Sequence, residues 1–351
     1  VASAGLRARV GQRRPELTRC RFWRLDRHPE GNTDFARFLS LQEEDCAPLA
    51  DGEVRIGTEW LSMDAGTRMW MSPRTDGYQP PLPLGSKMVG LVLGRVIESA
   101  DAGYPVGALV RGFGQWADVA TVVPALTGLE VVDETVADPR QHFGALGMNA
   151  WTAYVGVREV AAVKPGEWLV VSAAAGATGS LACQVGRNLG AKVVGIAGGA
   201  DKCRYLTEEV GVDMAIDYRN EDVDARLAEV PGGVNAFFDN VGGPILDAVL
   251  GNMAHYGRVA VCGMVAGYDT DAPMPGPAKF DQVLMRRLRI EGFFIPDFLH
   301  RGAEFMPQLR EWLDAGKLAV RFDETAGLEN VLTAYERMLT GKNIGKVVVK
   351  L

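Results

Sequence analysis

The sequence predicts an α/β chain in two parts: a β-rich first segment and a second segment built as a doubly wound parallel sheet. Two observations carry this expectation. From Phe22 to about Met148, short β-runs alternate with turn residues, and from about residue 150 strand and helix patterns alternate regularly. At 351 residues the chain is long enough for two hydrophobic cores.

Taken in order, the first 21 residues stand apart. Arg7, Arg9, Arg13, Arg14, Arg19 and Arg21 gather against a single acid, Glu16. This reads as a disordered extension over residues 1–21 or as an over-called start; a transit peptide is a further reading, but it lacks an apolar face. Val54–Leu61 then alternates as a strand, and Met88–Val96 and Ala108–Gly112 are further runs. Gly52, Pro80, Pro81, Pro83, Gly103, Pro105 and Gly107 punctuate them. In the second part, strands are expected at 168–173, 191–197, 214–218, 234–240, 256–262 and 289–295. Helices are expected at 176–189, 201–210, 221–229, 244–253, 280–288 and 301–316. A last helix, about 328–340, leads to the Val347–Val349 run, which is expected to pair back with the first part. The expected domains are thus 22–148 with 317–351, and 149–316.

Composition narrows the function classes. Hydrophobic residues make up 47% and charged residues 23%, a soluble balance. A net charge of −7 argues against nucleic acid as a partner. No apolar run reaches the ~20 residues that span a bilayer, so no membrane partner is expected. Five scattered cysteines suggest no disulfide framework and point to a reducing cytoplasm.

The strongest local signal lies between residues 168 and 198. An apolar run, Trp168–Ser172, enters the turn Ala174-Ala175-Gly176-Ala177-Thr178-Gly179; a helical stretch follows to Leu189, then a second β-run at Ala191–Ala197. A strand, tight turn, helix and strand lay a dinucleotide pyrophosphate on a helix N-terminus. Gly176 lets backbone amides approach phosphate, and Gly179 lets the helix press on the sheet. Ala174 stands where the first glycine of G-x-G-x-x-G is usual. Without its strand–helix–strand context the motif would be a weak signal, with a tight structural turn as the alternative reading.

The second strand then discriminates between cofactors. A site selective for an unphosphorylated ribose places an acid at that strand's end. Here the end reads Ala197-Gly198-Gly199-Ala200-Asp201-Lys202, with room and a cation instead. Lys202, with Arg204 and Tyr218, suits a ribose phosphate, which favours NADPH; alternatively Lys202 is a solvated lysine on a helix start. Asp201 is expected to cap the following helix.

Read with their neighbours, these residues resemble the medium-chain dehydrogenase/reductase superfamily, and within it the zinc-free branch of alkenal/enone double-bond reductases, which includes the prostaglandin reductases and bacterial curcumin reductases. The matching stretches are Leu146-Gly147-Met148 with Thr152-Ala153-Tyr154, Val171–Ser180, Gly195–Leu206, Phe238–Gly243, Cys262-Gly263 with Tyr268, Arg289–Phe293, and Gly341–Lys346. They fall in order over about residues 55–351. The resemblance implies a GroES-like β-rich catalytic domain, a Rossmann domain and a homodimer. It implies cofactor contacts from Ala175, Gly176, Ala177, Thr178, Gly179, Gly198, Lys202, Tyr218, Asn240, Cys262, Gly263, Phe293, Phe294, Ile295 and Asn343. Taken alone, Asn240 and Asn343 read first as turn caps.

One departure stands out. The branch carries an early Ser-Leu-Asp-Pro-Tyr-Met-Arg segment, and here it reads Ser62-Met63-Asp64-Ala65-Gly66-Thr67-Arg68, with Gly66 in place of the tyrosine. Asp64 and Arg68 are expected to pair and hold the loop. The lost phenol removes a donor or opens space for a bulkier substrate.

None of His28, His142, His255 and His300 lies near a cysteine in a ligand pattern, so no metal is expected. The chemistry expected is NADPH-dependent hydride transfer to the C=C bond of an α,β-unsaturated ketone or aldehyde, a small-molecule substrate. Tyr268, in a loop past a strand's C-terminal end, would steady the carbonyl oxygen; it reads equally as an aromatic lid. Two other readings stay open: a zinc-free carbonyl or quinone reductase, and a cofactor-binding protein with little catalysis.

Overall fold

The computed structural model describes residues 18–77, 79–270 and 273–351. Strand β1 (Arg19–Leu25) pairs antiparallel with β2 (Leu39–Asp45). The stretch expected to be a disordered extension therefore ends earlier than residue 21; its residues 1–17 lie outside the described residues. The physical reason is a period of two hidden by the arginine count. Arg19 and Arg21 face solvent, where they pair with Asp45 and Asp118, while Cys20 and Phe22 between and beside them are buried.

Strands β3 (Val54–Ser62), β4 (Val89–Ser99), β5 (Leu109–Gln115), β6 (Val119–Val122) and β7 (Glu130–Val131) form most of an antiparallel sheet. Its strands press closely. A Cβ at Gly94 would lie 2.2 Å from the Gly57 carbonyl oxygen, so only glycine lets β4 approach β3 there.

The second sheet is parallel and six-stranded: β8 (Trp168–Val171), β9 (Lys192–Ala197), β10 (Met214–Asp217), β11 (Val234–Asp239), β12 (Met253–Val261) and β13 (Arg289–Gly292). Its order is β10-β9-β8-β11-β12-β13, so the winding reverses between β8 and β11. That reversal opens a crevice beyond the carboxyl ends of these two strands. Helices cover both faces, and the strands alternate between two cores. Leu169, Val171, Val193 and Phe238 face one, while Val170, Val194, Ile216 and Phe237 face the other. The strands and helices expected from the sequence all form, with edges moved by a few residues. Shifts reach three residues, as at β12, which begins at buried Met253 rather than at residue 256, and at β13, which ends at Gly292 rather than at 295.

The chain then returns. β14 (Phe322–Ala326) runs parallel to β15 (Lys346–Lys350), and β15 joins β3 antiparallel with Val348 opposite Ser62. Between them the helix Val331–Leu339 buries Tyr335 edge-on against Phe35 and Trp116. The two sheets meet where Gly345 bridges Gly176.

Phe237 is fully buried in the parallel sheet. Phe237→Ala should cost about 3–5 kcal/mol, read as a lower urea midpoint with an unchanged slope; a loss below ~1 kcal/mol would show that this core repacks freely.

Candidate active site

A cleft of about 850 Å³ runs along the carboxyl ends of the parallel strands to the inner edge of the antiparallel sheet. Its floor is the turn after β8. The helix Ala177–Asn188 starts at Gly176 with no side-chain cap, and Ala175, Gly176, Ala177, Thr178 and Gly179 all line the cleft. Uncapped first-turn amides and a helix dipole suit an anion there. A Cβ at Gly179 would lie 2.3 Å from the Ala173 carbonyl oxygen, which is why this position needs glycine. The Thr178 hydroxyl accepts a hydrogen bond from Asn149 Nδ2 at 3.0 Å.

At one end of the cleft, cations converge. Gly198 lies under Tyr218 and Arg219, leaving no room for a side chain: a Cβ there would be 2.8 Å from both the Tyr218 ring and Arg219 Nε. A side chain at Gly341 would sit 3.6 Å from Arg219 Nη2 and 4.0 Å from Lys202 Nζ, so both cations face one point. Arg337 nearby is held by Asp323 at 3.1 Å, whereas among the described residues neither Lys202 nor Arg219 forms an ion pair. Burial, and next Arg219, pull the Lys202 ammonium below its ordinary value. A bound phosphate would relieve both effects, so the residues fit an adenosine ribose that carries one.

Two expectations at this end are corrected. Asp201 does not cap its helix: the cap is Gly199, and the Asp201 carboxylate pairs with Arg204 at 2.5 Å. Arg204 is therefore occupied on the surface and does not line the cleft. The cation in its place is Arg219, adjacent to Tyr218 and missed in the sequence reading. The acid holding this end together is Asp217. It accepts from the Gly199 and Arg219 amides at 2.7 and 3.1 Å, and the Gly199 bond leads in holding its carboxyl below the usual range.

In the middle of the cleft, Asn240, Cys262, Gly263 and Tyr268 come together with Phe293, Phe294, Ile295 and Asn343. Apart from Arg204, the structure thus brings the site residues proposed from the sequence onto one cleft, through loops far apart in the chain. The two asparagines also act as turn caps. Asn240 Nδ2 donates to the Ser172 carbonyl at 2.7 Å, and Asn343 Nδ2 donates to the Gly345 carbonyl at 2.9 Å. Beneath them lies a group the sequence reading missed. Asp239, fully buried, accepts from Ser172 Oγ at 2.8 Å and from the Val241 and Gly242 amides, and burial raises its carboxyl. Its only sequence signal was an acid at the very end of a buried strand.

Burial also pushes the Cys262 thiol up to about 12, with Asp239 adding to the effect, so this cysteine stays protonated in the cleft wall. Tyr268 Oη accepts from the Met264 amide at 3.3 Å, and burial raises its phenol. The hydroxyl hydrogen therefore stays in place and has no acceptor among the described residues.

The far end of the cleft is apolar. Met63, Trp70, Leu91 and Phe113 line it, with the Trp70 and Phe113 rings 6.0 Å apart. Gly66 lines this end too, at the start of the short helix Thr67–Trp70. The expected Asp64–Arg68 pair does not form. Arg68 instead donates to the Gly31 and Pro29 carbonyls at 3.1 and 2.9 Å, and Asp64 pairs with Lys346. Residues far along the chain outcompeted the near neighbour because β15 carries Lys346 into the loop.

Comparison with known proteins agrees with this geometry. Residues 21–132 match the family described as N-terminal domain of oxidoreductase, and residues 177–314 match the family described as zinc-binding dehydrogenase. Among the described residues, no three His, Cys, Asp or Glu side chains cluster to hold a metal. The NADPH-dependent curcumin reductase of Escherichia coli is 37% identical over 339 residues, covering 95% of this chain and 97% of that protein. Mouse prostaglandin reductase 1 is 33% identical over 339 residues, covering 95% of this chain and 100% of that protein. The crystal structure of CurA from Vibrio vulnificus in complex with NADPH superposes with a TM-score of 0.87 at 33% identity, covering 94% of this chain and 98% of that one.

The paired cations make a direct prediction. In Lys202→Ala/Arg219→Ala, calorimetry should find adenosine 2′,5′-bisphosphate bound about 10- to 100-fold more weakly, with adenosine 5′-monophosphate almost unchanged. Equal losses for both nucleotides would show that these side chains do not read the second phosphate.

Proposed function

This chain belongs to the alkenal/enone reductase branch of the medium-chain dehydrogenase/reductase superfamily, and on that premise we propose an NADPH-dependent reductase of unsaturated carbonyl compounds. The reaction is reduction of the C=C bond of an α,β-unsaturated ketone or aldehyde. The carrying observation is the polarity of one cleft. Cations and an uncapped helix start lie at one end, an apolar space at the other, and a protonated phenol stands between them.

When bound, NADPH supplies the hydride. Ala175 to Gly179 would hold its pyrophosphate, Lys202 and Arg219 its ribose phosphate, with Gly198 and Tyr218 beside the adenosine. Asn240, Cys262, Gly263, Phe293, Phe294, Ile295 and Asn343 would hold the nicotinamide end. The apolar wall of Met63, Trp70, Leu91 and Phe113 excludes water and holds the carbon frame of the substrate. As the β-carbon is reduced, negative charge grows on the carbonyl oxygen, where Tyr268 donates its hydrogen bond. A proton from solvent completes the α-carbon. No metal is needed in this scheme, which the absence of a ligand cluster among the described residues supports.

The same reading divides the chain into 22–148 with 317–351 around the antiparallel sheet, and 149–316 around the parallel one; β1 adds Arg19–Arg21 to the first. It also favours a homodimer. Among the described residues strand β13 is a sheet edge; Phe280, Leu284 and Met285 are exposed just before it in the chain, and Tyr256 is exposed on β12, the strand it pairs with. Among the described residues no helix is long and apolar enough to cross a membrane. Five free cysteines fit a reducing cytoplasm.

Incubation with NADPH and 4-phenyl-3-buten-2-one should consume the cofactor, and NMR should identify the saturated ketone. An allylic alcohol would move the assignment to carbonyl reduction, and no consumption across an enone and quinone panel would end the enzymatic reading. Tyr268→Phe should lower kcat by about 10- to 1,000-fold with little change in NADPH affinity. Full turnover in that variant would remove the phenol from the donor role.

A further inference from the structure

Lys346 is 1% exposed although it carries an ammonium, and it lines the cleft. Its Nζ donates to the Met63 carbonyl at 3.0 Å and pairs with Asp64 Oδ1 at 2.5 Å. The other Asp64 oxygen accepts from Ser62 Oγ. An ammonium withdrawn this far from water is tolerated only when paired and hydrogen-bonded, so the geometry of the pair is tightly held.

The backbone on both sides of this pair matters as much. Gly345, directly before Lys346, donates its N–H to the Ala175 carbonyl at 2.8 Å and bridges Gly176. A Cβ on Gly345 would lie 2.0 Å from the Arg321 carbonyl oxygen, so the strand runs as close as a backbone can. Directly after Lys346, Val347 accepts from the Met63 amide at 3.1 Å. Asp64 in turn accepts from the Thr67 amide at 3.2 Å, opening the turn that carries Gly66 into the helix ending at Trp70. Three consecutive residues therefore touch the anion-binding turn on one side and grip the apolar loop on the other.

We infer that Lys346 is a positioning residue: through Asp64 it sets the 63–70 loop, and with it the substrate wall, in register with the turn that seats the cofactor. The inference rests on the enone-reductase reading for its kinetic consequence, but not for its structural one. Loss of the ammonium leaves the NADPH seat intact and lets the substrate wall drift.

Lys346→Met, Asp64→Asn and the double variant test it. Each should lower kcat/KM for 4-phenyl-3-buten-2-one by about 30-fold, mostly through KM, because misplacement by an ångström is that costly. NADPH affinity, measured by fluorescence, should stay within about threefold. Amide hydrogen exchange in the protein without cofactor should quicken over residues 63–70 and stay unchanged over 54–60. Lys346→Arg, which keeps charge and donors, should recover most of the loss. Near wild-type kinetics and exchange in the double variant would overturn the inference, since only an unpaired charge would then have been at fault. So would a parallel collapse of NADPH affinity and thermal stability. If the wild-type protein reduces no enone, the functional reading falls while the exchange comparison still decides the role of Lys346.

Discussion

Between Ala175 and Gly345 a single N–H donates to a carbonyl across 2.8 Å, and the arrangement of the cleft follows from that contact. It ties the first turn of the parallel sheet to the last strand of the antiparallel one. A crevice outside the carboxyl ends of parallel strands is open to water on one side. Here the returning strand supplies the missing side, because β15 pairs with β3 and brings the 63–70 loop with it. The close approach depends on glycine at position 345. Gly345 adopts φ +78°, and its neighbour Arg321 leaves no space for a Cβ.

Within the cleft so formed, charge is sorted by what each group can pair with. Asp217 and Asp239, the acids at the ends of β10 and β11, are consumed by backbone amides and a serine hydroxyl. They stiffen the loops without presenting negative charge to a ligand. Lys202 and Arg219 keep their charge unspent, and Lys346 spends its charge on Asp64. The result is a site positive at one end, neutral and apolar at the other, where hydrogen bonds act in a water-poor setting and count for more than they would in bulk solvent.

How far this was legible in the sequence depended on the range of each interaction. The six parallel strands could be read because each is a short apolar run whose neighbours in the chain are turns and helices. The anion turn could be read because its glycines answer to local sterics. By contrast, Arg19 and Arg21 were counted as part of a disordered leader when their alternation with Cys20 and Phe22 was the signal. Asp201 was read as a cap from its position, but its helix starts at Gly199 and Arg204 lies one turn away to take the carboxylate. Arg219 was passed over because its direction depends on the bend after β10, which Asp217 enforces.

The sequence by itself determined the order of strands and helices, the seat for an anion after β8, and the absence of an acid where an unphosphorylated ribose would be bound. These properties rest on interactions between residues close in the chain, where backbone sterics and hydrophobic period decide the outcome. Only the tertiary structure decided that Asp64 belongs to Lys346 rather than to Arg68, that Arg219 joins Lys202, and that Asp239 anchors the centre of the cleft. Those choices are made by which charged groups are buried together, and burial is a property of the assembled sheets that no local pattern encodes.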